Sequence, residues 1–367
     1  MQFRSRSLAL LTLAGALAAS GCTDNASPAP TRGFLDGTTS NPDIGLFINS
    51  TSHSLLMFQL GDPDQRQEIA FGASTTITPA AFAVRGHLAL VPLGDAASVN
   101  LVDLESNSVV RTFTFGGGNA TGAAWVDDTT AIVANFLDDY VGRIYIHQAG
   151  DAITDTVSVT PAPSSVIAHA GRVFVISSNL DQNYLEIGDA VLTEVNPATM
   201  TIVDTITTGG RDAQYGAFGP DGKLYVVNTG EYFPADAQGS LAVYSTAVDA
   251  APTVVEGFGN APGPITIDAA GRAVISSYSY GSVVYHTGTG AFLRGPDNPL
   301  CAPATTGCRT ASDAAFAGDG RIYQSFYGST AGSIPGQIFL YDATTYALID
   351  SIAIPVGPSG LQVINFR

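Results

Sequence analysis

The sequence predicts an all-β fold, and three observations lead there together. Short segments rich in Val, Ile, Thr, Tyr and Phe alternate apolar with polar residues. Forty glycines and 20 prolines punctuate them, more than a helical chain would tolerate. Beyond residue 21 no long helical pattern interrupts the alternation. With 45% hydrophobic and only 13% charged residues, the chain has the material for a packed core.

The strands recur at a regular spacing, and tight turns fall at matching places. The turns are Val84-Arg85-Gly86-His87, Val126-Asp127-Asp128-Thr129 and His169-Ala170-Gly171-Arg172, then Pro220-Asp221-Gly222-Lys223, Ala269-Ala270-Gly271-Arg272 and Gly318-Asp319-Gly320-Arg321. Measured between Gly86, Asp128, Gly171, Gly222, Gly271 and Gly320, the steps are 42, 43, 51, 49 and 49 residues. A period of this size holding several strands marks the blades of a β-propeller. In each unit one strand enters the turn and a second leaves it, as in Leu224-Tyr225-Val226-Val227-Asn228. A third follows a polar loop, as in Ser240-Leu241-Ala242-Val243-Tyr244, and a fourth completes the blade.

Six turns give six blades, and the chain ends supply a seventh. Leu361-Gln362-Val363-Ile364-Asn365-Phe366 is a strand with no turn after it. The segments at 44–49, 54–58 and 67–71 lack an innermost partner. Joining the two predicts a seven-bladed propeller of four-stranded blades, its ring closed by the C-terminal strand, which hides edges that would otherwise pair with other chains.

Several units resemble the YVTN-type propeller repeat. The echoes are Val227-Asn228-Thr229-Gly230, Leu101-Val102-Asp103, Ala343-Thr344-Thr345-Tyr346-Ala347-Leu348-Ile349 and Val356-Gly357-Pro358. The resemblance covers most of residues 43–367 and implies the fold rather than an activity, since such propellers host many roles. Long second loops at 178–189, 229–238 and 327–336 depart from that pattern.

The first residues predict export. Arg4 and Arg6 precede an apolar run from Leu8 to Ala19, too short to span a bilayer but suited to a secretory signal. Ala19-Ser20-Gly21-Cys22 resembles the bacterial lipobox, which implies lipidation of Cys22. The family usually has Leu where Ala19 stands. Thr23 rather than Asp after the cysteine implies, by enterobacterial sorting, the outer membrane. The expected organisation is a lipoprotein signal peptide at 1–21, a lipidated cysteine and flexible tether at 22–42, and one propeller domain at 43–367.

The net charge is −17, and because residues 1–21 carry two arginines and no acid it becomes −19 after their removal. Such a chain repels phosphate backbones, so nucleic acid is excluded as a partner. Cationic or polar partners are favoured. In an exported protein, Cys301 and Cys308 are expected to form a disulfide closing a small loop.

Topology assigns the functional face. Loops between blades, and loops joining second to third strands, share one face; the tight turns occupy the other. The loop-rich face collects Tyr140, Tyr184, Tyr232, Phe233, Tyr280 and Tyr327, with Asp138, Asp139, Asp181, Glu186 and Glu231 beside them. Aromatics mixed with carboxylates are typical of binding surfaces; the alternative is that they cover blade ends. Starts of innermost strands line the axial channel and bring Ser164, Ser165, Asp212, Gln214, Ser312, Asp313 and Ser359 there. Among these, Asp212, Gln214 and Asp313 are candidate ligands for an axial divalent metal, by resemblance to lactonase-type propellers. The oxygen-rich run from Asp181 to Asp189 lacks the order of a calcium loop and reads as a solvated loop. No His-Glu-x-x-His, Gly-x-Ser-x-Gly or Cys-x-x-Cys-His motif is present. The expected function is therefore non-catalytic binding or scaffolding at the cell envelope, for a protein or small-molecule partner, with no cofactor and no catalytic residue assigned. The rival is a lactonase-like hydrolase with an axial metal.

Overall fold

The computed structural model describes residues 43–230, 238–245, 250–304 and 307–365. Its strands form seven antiparallel sheets of four, and no helix occurs among the described residues. The innermost strands, in ring order, are Pro358–Asn365, Ala83–Arg85, Ala120–Trp125, Pro163–His169, Ala213–Phe218, Pro262–Ile267 and Asp313–Phe316. They begin blades 1 to 7. All six tight turns join the first and second strands of blades 2 to 7, as expected.

Blade 1 is composite. The last strand pairs antiparallel with Asp43–Asn49, from Asp43 opposite Asn365 to Asn49 opposite Pro358. Asn365 Nδ2 adds a bond to Asp43 Oδ1 at 2.7 Å. The ring is thus closed as the unpartnered segments predicted.

The core sits between blades. Second strands are apolar at consecutive positions because both their faces are covered. In Arg172–Ser177, Val173 and Val175 pack toward blade 3 while Phe174 and Ile176 pack toward blade 5. The same split gives one buried cluster at each junction, seven in all among the described residues. Inner strands approach closely: a Cβ on Gly122 would lie 2.7 Å from the Ser165 Cα, so only glycine fits between blades 3 and 4 there. Side chains stitch the inner ring. Trp125 Nε1 donates to the Ala83 carbonyl, Thr121 Oγ1 to Pro163 and Thr266 Oγ1 to Ala314.

Candidate functional site

Inner strands do not start regularly. Register shifts occur between Ala120 and Ala123, Pro163 and Ser165, Ala213 and Tyr215, and Pro262 and Ile265. A bulge inserts a residue and re-aims the side chains around it. Thr121, Ser164 and Gln214, at three of these bulges, come together at one cavity. These three, with Asn119, Asp212 and Tyr215, form one side of a cavity of about 860 Å³. That volume suits a small organic molecule.

The other side comes from second-to-third-strand loops. Phe136 follows Thr130–Asn135, and Leu180, Tyr184, Leu185 and Glu186 come from the loop at 178–190. That loop is a small hairpin of its own. Leu180 bridges Glu186, and the Asp181 carboxylate accepts the amides of Asn183 and Leu185 at 2.7 and 2.9 Å. Those amides, Leu185 first, hold the Asp181 carboxyl below its ordinary range. The acid therefore works as a turn cap. Tyr184 is carried at the tip, 62% exposed, and stacks on Phe136 with ring centroids 6.0 Å apart. Glu186 pairs with Arg211.

Deeper along the channel, Asp212 is 4% exposed. Both its oxygens accept from the Gln214 side-chain amide, at 3.0 and 2.9 Å. Burial raises its pKa, only partly offset by hydrogen bonds from Gln214 and Ser178. Asp313, 5% exposed, is pushed up to about 7 by burial, against the pull of the Ala314 and Leu361 amides. Tyr278 bridges toward blade 5, its hydroxyl 2.8 Å from that of Tyr215. Tyr278 is 39% exposed. Burial and then the negative fields of Asp313 and Asp212 raise its pKa to about 12.

The fold is shared with solved structures from other organisms. A functionally unknown protein from Desulfotomaculum acetoxidans DSM 771 superposes with a TM-score of 0.63 at 12% identity, over 88% of this chain and 98% of that one. Hydrazine synthase from Kuenenia stuttgartiensis gives a TM-score of 0.58 at 16% identity, over 85% of this chain and 93% of that one. At such identities the likeness shows the propeller and nothing of its use. No family model and no curated protein matches the sequence.

The aromatics expected on the binding face have different surroundings. Tyr184 and Tyr327 stand open, the latter 42% exposed with its hydroxyl on Ser50 Oγ at 2.9 Å. Tyr140 opens the third strand of blade 3 rather than lying in the loop before it, and packs edge-on against Phe115. Tyr280 donates its hydroxyl to the Phe258 carbonyl and packs on the core between blades 5 and 6. Tyr140 and Tyr280 therefore cover blade ends, because each finds an apolar neighbour at a blade junction. Tyr232 and Phe233 lie outside the described residues. The Cys301–Cys308 disulfide is formed, with Cα atoms 5.1 Å apart. Of the axial candidates, Asp212 and Gln214 line the cavity together, whereas Asp313 sits in blade 7 beyond Tyr278. Among the described residues no three His, Cys, Asp or Glu side chains come together in a metal-holding group. Asn119, Thr121 and Tyr215 are cavity residues that the sequence did not single out.

Proposed function

We propose that this chain is a non-catalytic binding lipoprotein of the YVTN-propeller kind, exported and held at the outer membrane by lipid on Cys22. Its propeller captures a small ligand at the loop-face mouth of the channel. The observation that carries this reading is the cavity itself: about 860 Å³, walled by the stacked Phe136 and Tyr184 and by Leu180, with polar groups converging at its floor. A large apolar pocket with a few aimed polar groups is the usual form of a small-molecule site. The donor set favours binding over metal-assisted hydrolysis, since among the described residues no three His, Cys, Asp or Glu side chains come together and Asp313 is not among the residues lining the cavity.

Two experiments test it. For the anchor, Cys22→Ala should block maturation or release soluble protein; a variant that still fractionates with membranes and takes up fatty acid would refute the lipidation. For the site, a library of small polar–apolar molecules is screened by saturation-transfer NMR against the protein and against Tyr184→Ala. Hits should weaken in the variant by about 1–2 kcal/mol, roughly 5- to 30-fold. Hits indifferent to Tyr184 would place the binding face elsewhere.

A further inference from the structure

The repeat shows which cavity residue the fold does not need. In blade after blade, the backbone amide that follows the second strand bonds the carbonyl of a residue just before the inner strand. The pairs are Ser50 to Gly357, Phe136 to Asn119, Ser178 to Ala162, Thr229 to Asp212 and Tyr278 to Ala261. The carbonyl-bearing position therefore holds Gly, Asn, Ala, Asp and Ala in blades 1, 3, 4, 5 and 6. The left-handed backbone there does not call for an acid, because Ala162 and Ala261 adopt φ of 58° and 48° beside 49° for Asp212. Of these five blades, blade 5 alone places a carboxylate at this point of the repeat, and it lies at the cavity wall.

A buried carboxylate costs stability unless a cation meets it. Among the described residues no Lys, Arg or His pairs with Asp212, and neighbouring Arg211 is turned to Glu186. Gln214 and Ser178 supply hydrogen bonds without supplying charge. Around this acid the walls are aromatic. Ring faces are negative and attract cations. The chain as a whole carries −17. Such a field concentrates cations at the mouth. The cavity is far larger than a metal ion, and its apolar wall calls for an apolar body.

We propose that the cavity binds an organic ammonium ion, its primary amine seated at Asp212 and its apolar body against Phe136 and Tyr184. This rests on the binding reading above and names the ligand class for it. The ammonium N–H groups would donate to Asp212 and to the Gln214 Oε1.

The test uses three probes of one shape: 2-phenylethylammonium, neutral 2-phenylethanol and anionic phenylacetate. Each is titrated calorimetrically into the purified protein and into Asp212→Asn and Tyr184→Ala. Asparagine tolerates the left-handed backbone and keeps the acceptor for Gln214, so the fold should survive; circular dichroism and a melting curve verify that. The ammonium should saturate one site, bind about tenfold or more tighter than the alcohol, and lose that margin in Asp212→Asn. Phenylacetate should not bind. In Tyr184→Ala both ammonium and alcohol should weaken. Absence of saturable ammonium binding overturns the proposal, as does a preference for the ammonium that survives Asp212→Asn. If the alcohol or phenylacetate binds in a Tyr184-dependent way and the ammonium does not, the cationic assignment falls while the binding reading stands.

Discussion

The two faces of the propeller are built on opposite plans. On the turn face one device repeats. Asp221 accepts the Tyr225 hydroxyl in blade 5, and Asp319 accepts that of Tyr323 in blade 7, both at 2.9 Å. In blade 6 Asp268 holds Arg272 instead. Turns between third and fourth strands are capped alike by Asp103, Asn196 and Asp342, each accepting an amide two residues on at 2.9 Å. Where a shift is resolved in these turns the acid is lowered: amides and hydroxyls outweigh burial at Asp127, Asp221 and Asp342. On the loop face, equivalent positions hold different residues, and the buried acids Asp212 and Asp313 are raised. Acids whose donors outweigh burial stabilise the fold, whereas acids in which burial outweighs the donors are costly to ionise where they stand.

Removing the shared frame should have the largest effect. Deleting residues 358–365 leaves Asp43–Asn49 without its inner neighbour, and both faces should lose order together. The expected loss is about 5 kcal/mol or more, comparable with the stability of a whole domain. An unchanged melting temperature would mean that the closing strand does not hold the ring.

Next in size is Asp313→Asn, which separates the faces by pH. A carboxyl at about 7 when folded, against an ordinary 3.8, keeps its proton in the native state and loses it in the unfolded chain. Its contribution to stability is fully present below about 4 and is lost as pH rises to about 7. The variant should therefore be more stable than wild type at pH 8, by about 4 kcal/mol, and nearly level with it at pH 4. Denaturant midpoints at the two pH values decide this; a variant less stable at pH 8 would reverse the assignment.

A turn-face hydrogen bond should matter less and in the opposite sense. Tyr225→Phe removes the hydroxyl from Asp221 and should cost about 1 kcal/mol, with binding of any loop-face ligand untouched. Smallest of all, Lys223→Ala and Arg321→Ala remove exposed partners of Asp221 and Asp319. They should shift stability by less than about 0.5 kcal/mol. A larger effect on ligand capture than on stability, in any of these three, would erase the distinction between the faces.

The fold was legible because its signals are local and repeated. Gly222, Gly271 and Gly320 take left-handed φ of 75°, 78° and 81° in the same kind of turn, so the glycines that mark the period also make it. The closing strand was legible as an apolar segment without a partner. The site was legible in part. Asp212 and Gln214 could be placed from their position at the head of an inner strand. Tyr215 could not, because strict alternation would send adjacent side chains to opposite faces. The register shift between Ala213 and Tyr215 breaks that alternation, and Gln214 and Tyr215 both line the cavity. The fates of Tyr140 and Tyr280 were hidden for another reason. Whether an aromatic stands open or covers a blade end depends on neighbours such as Phe115 and Phe258, which come from the preceding inter-blade connections.

Ring closure also sets an order of events during synthesis. Asp43 and Asn365 are 322 residues apart in the chain yet bonded in blade 1. Blades 2 to 7 draw all their strands from consecutive stretches and can pair as they emerge, whereas blade 1 must wait for Pro358–Asn365. Contacts this distant in sequence slow folding. The late docking of Pro358–Asn365 onto Asp43–Asn49 is then the step at which a second copy of the same strand competes for the vacant place. Crowding at the site of synthesis, rather than the stability of the finished ring, would set how often two chains exchange.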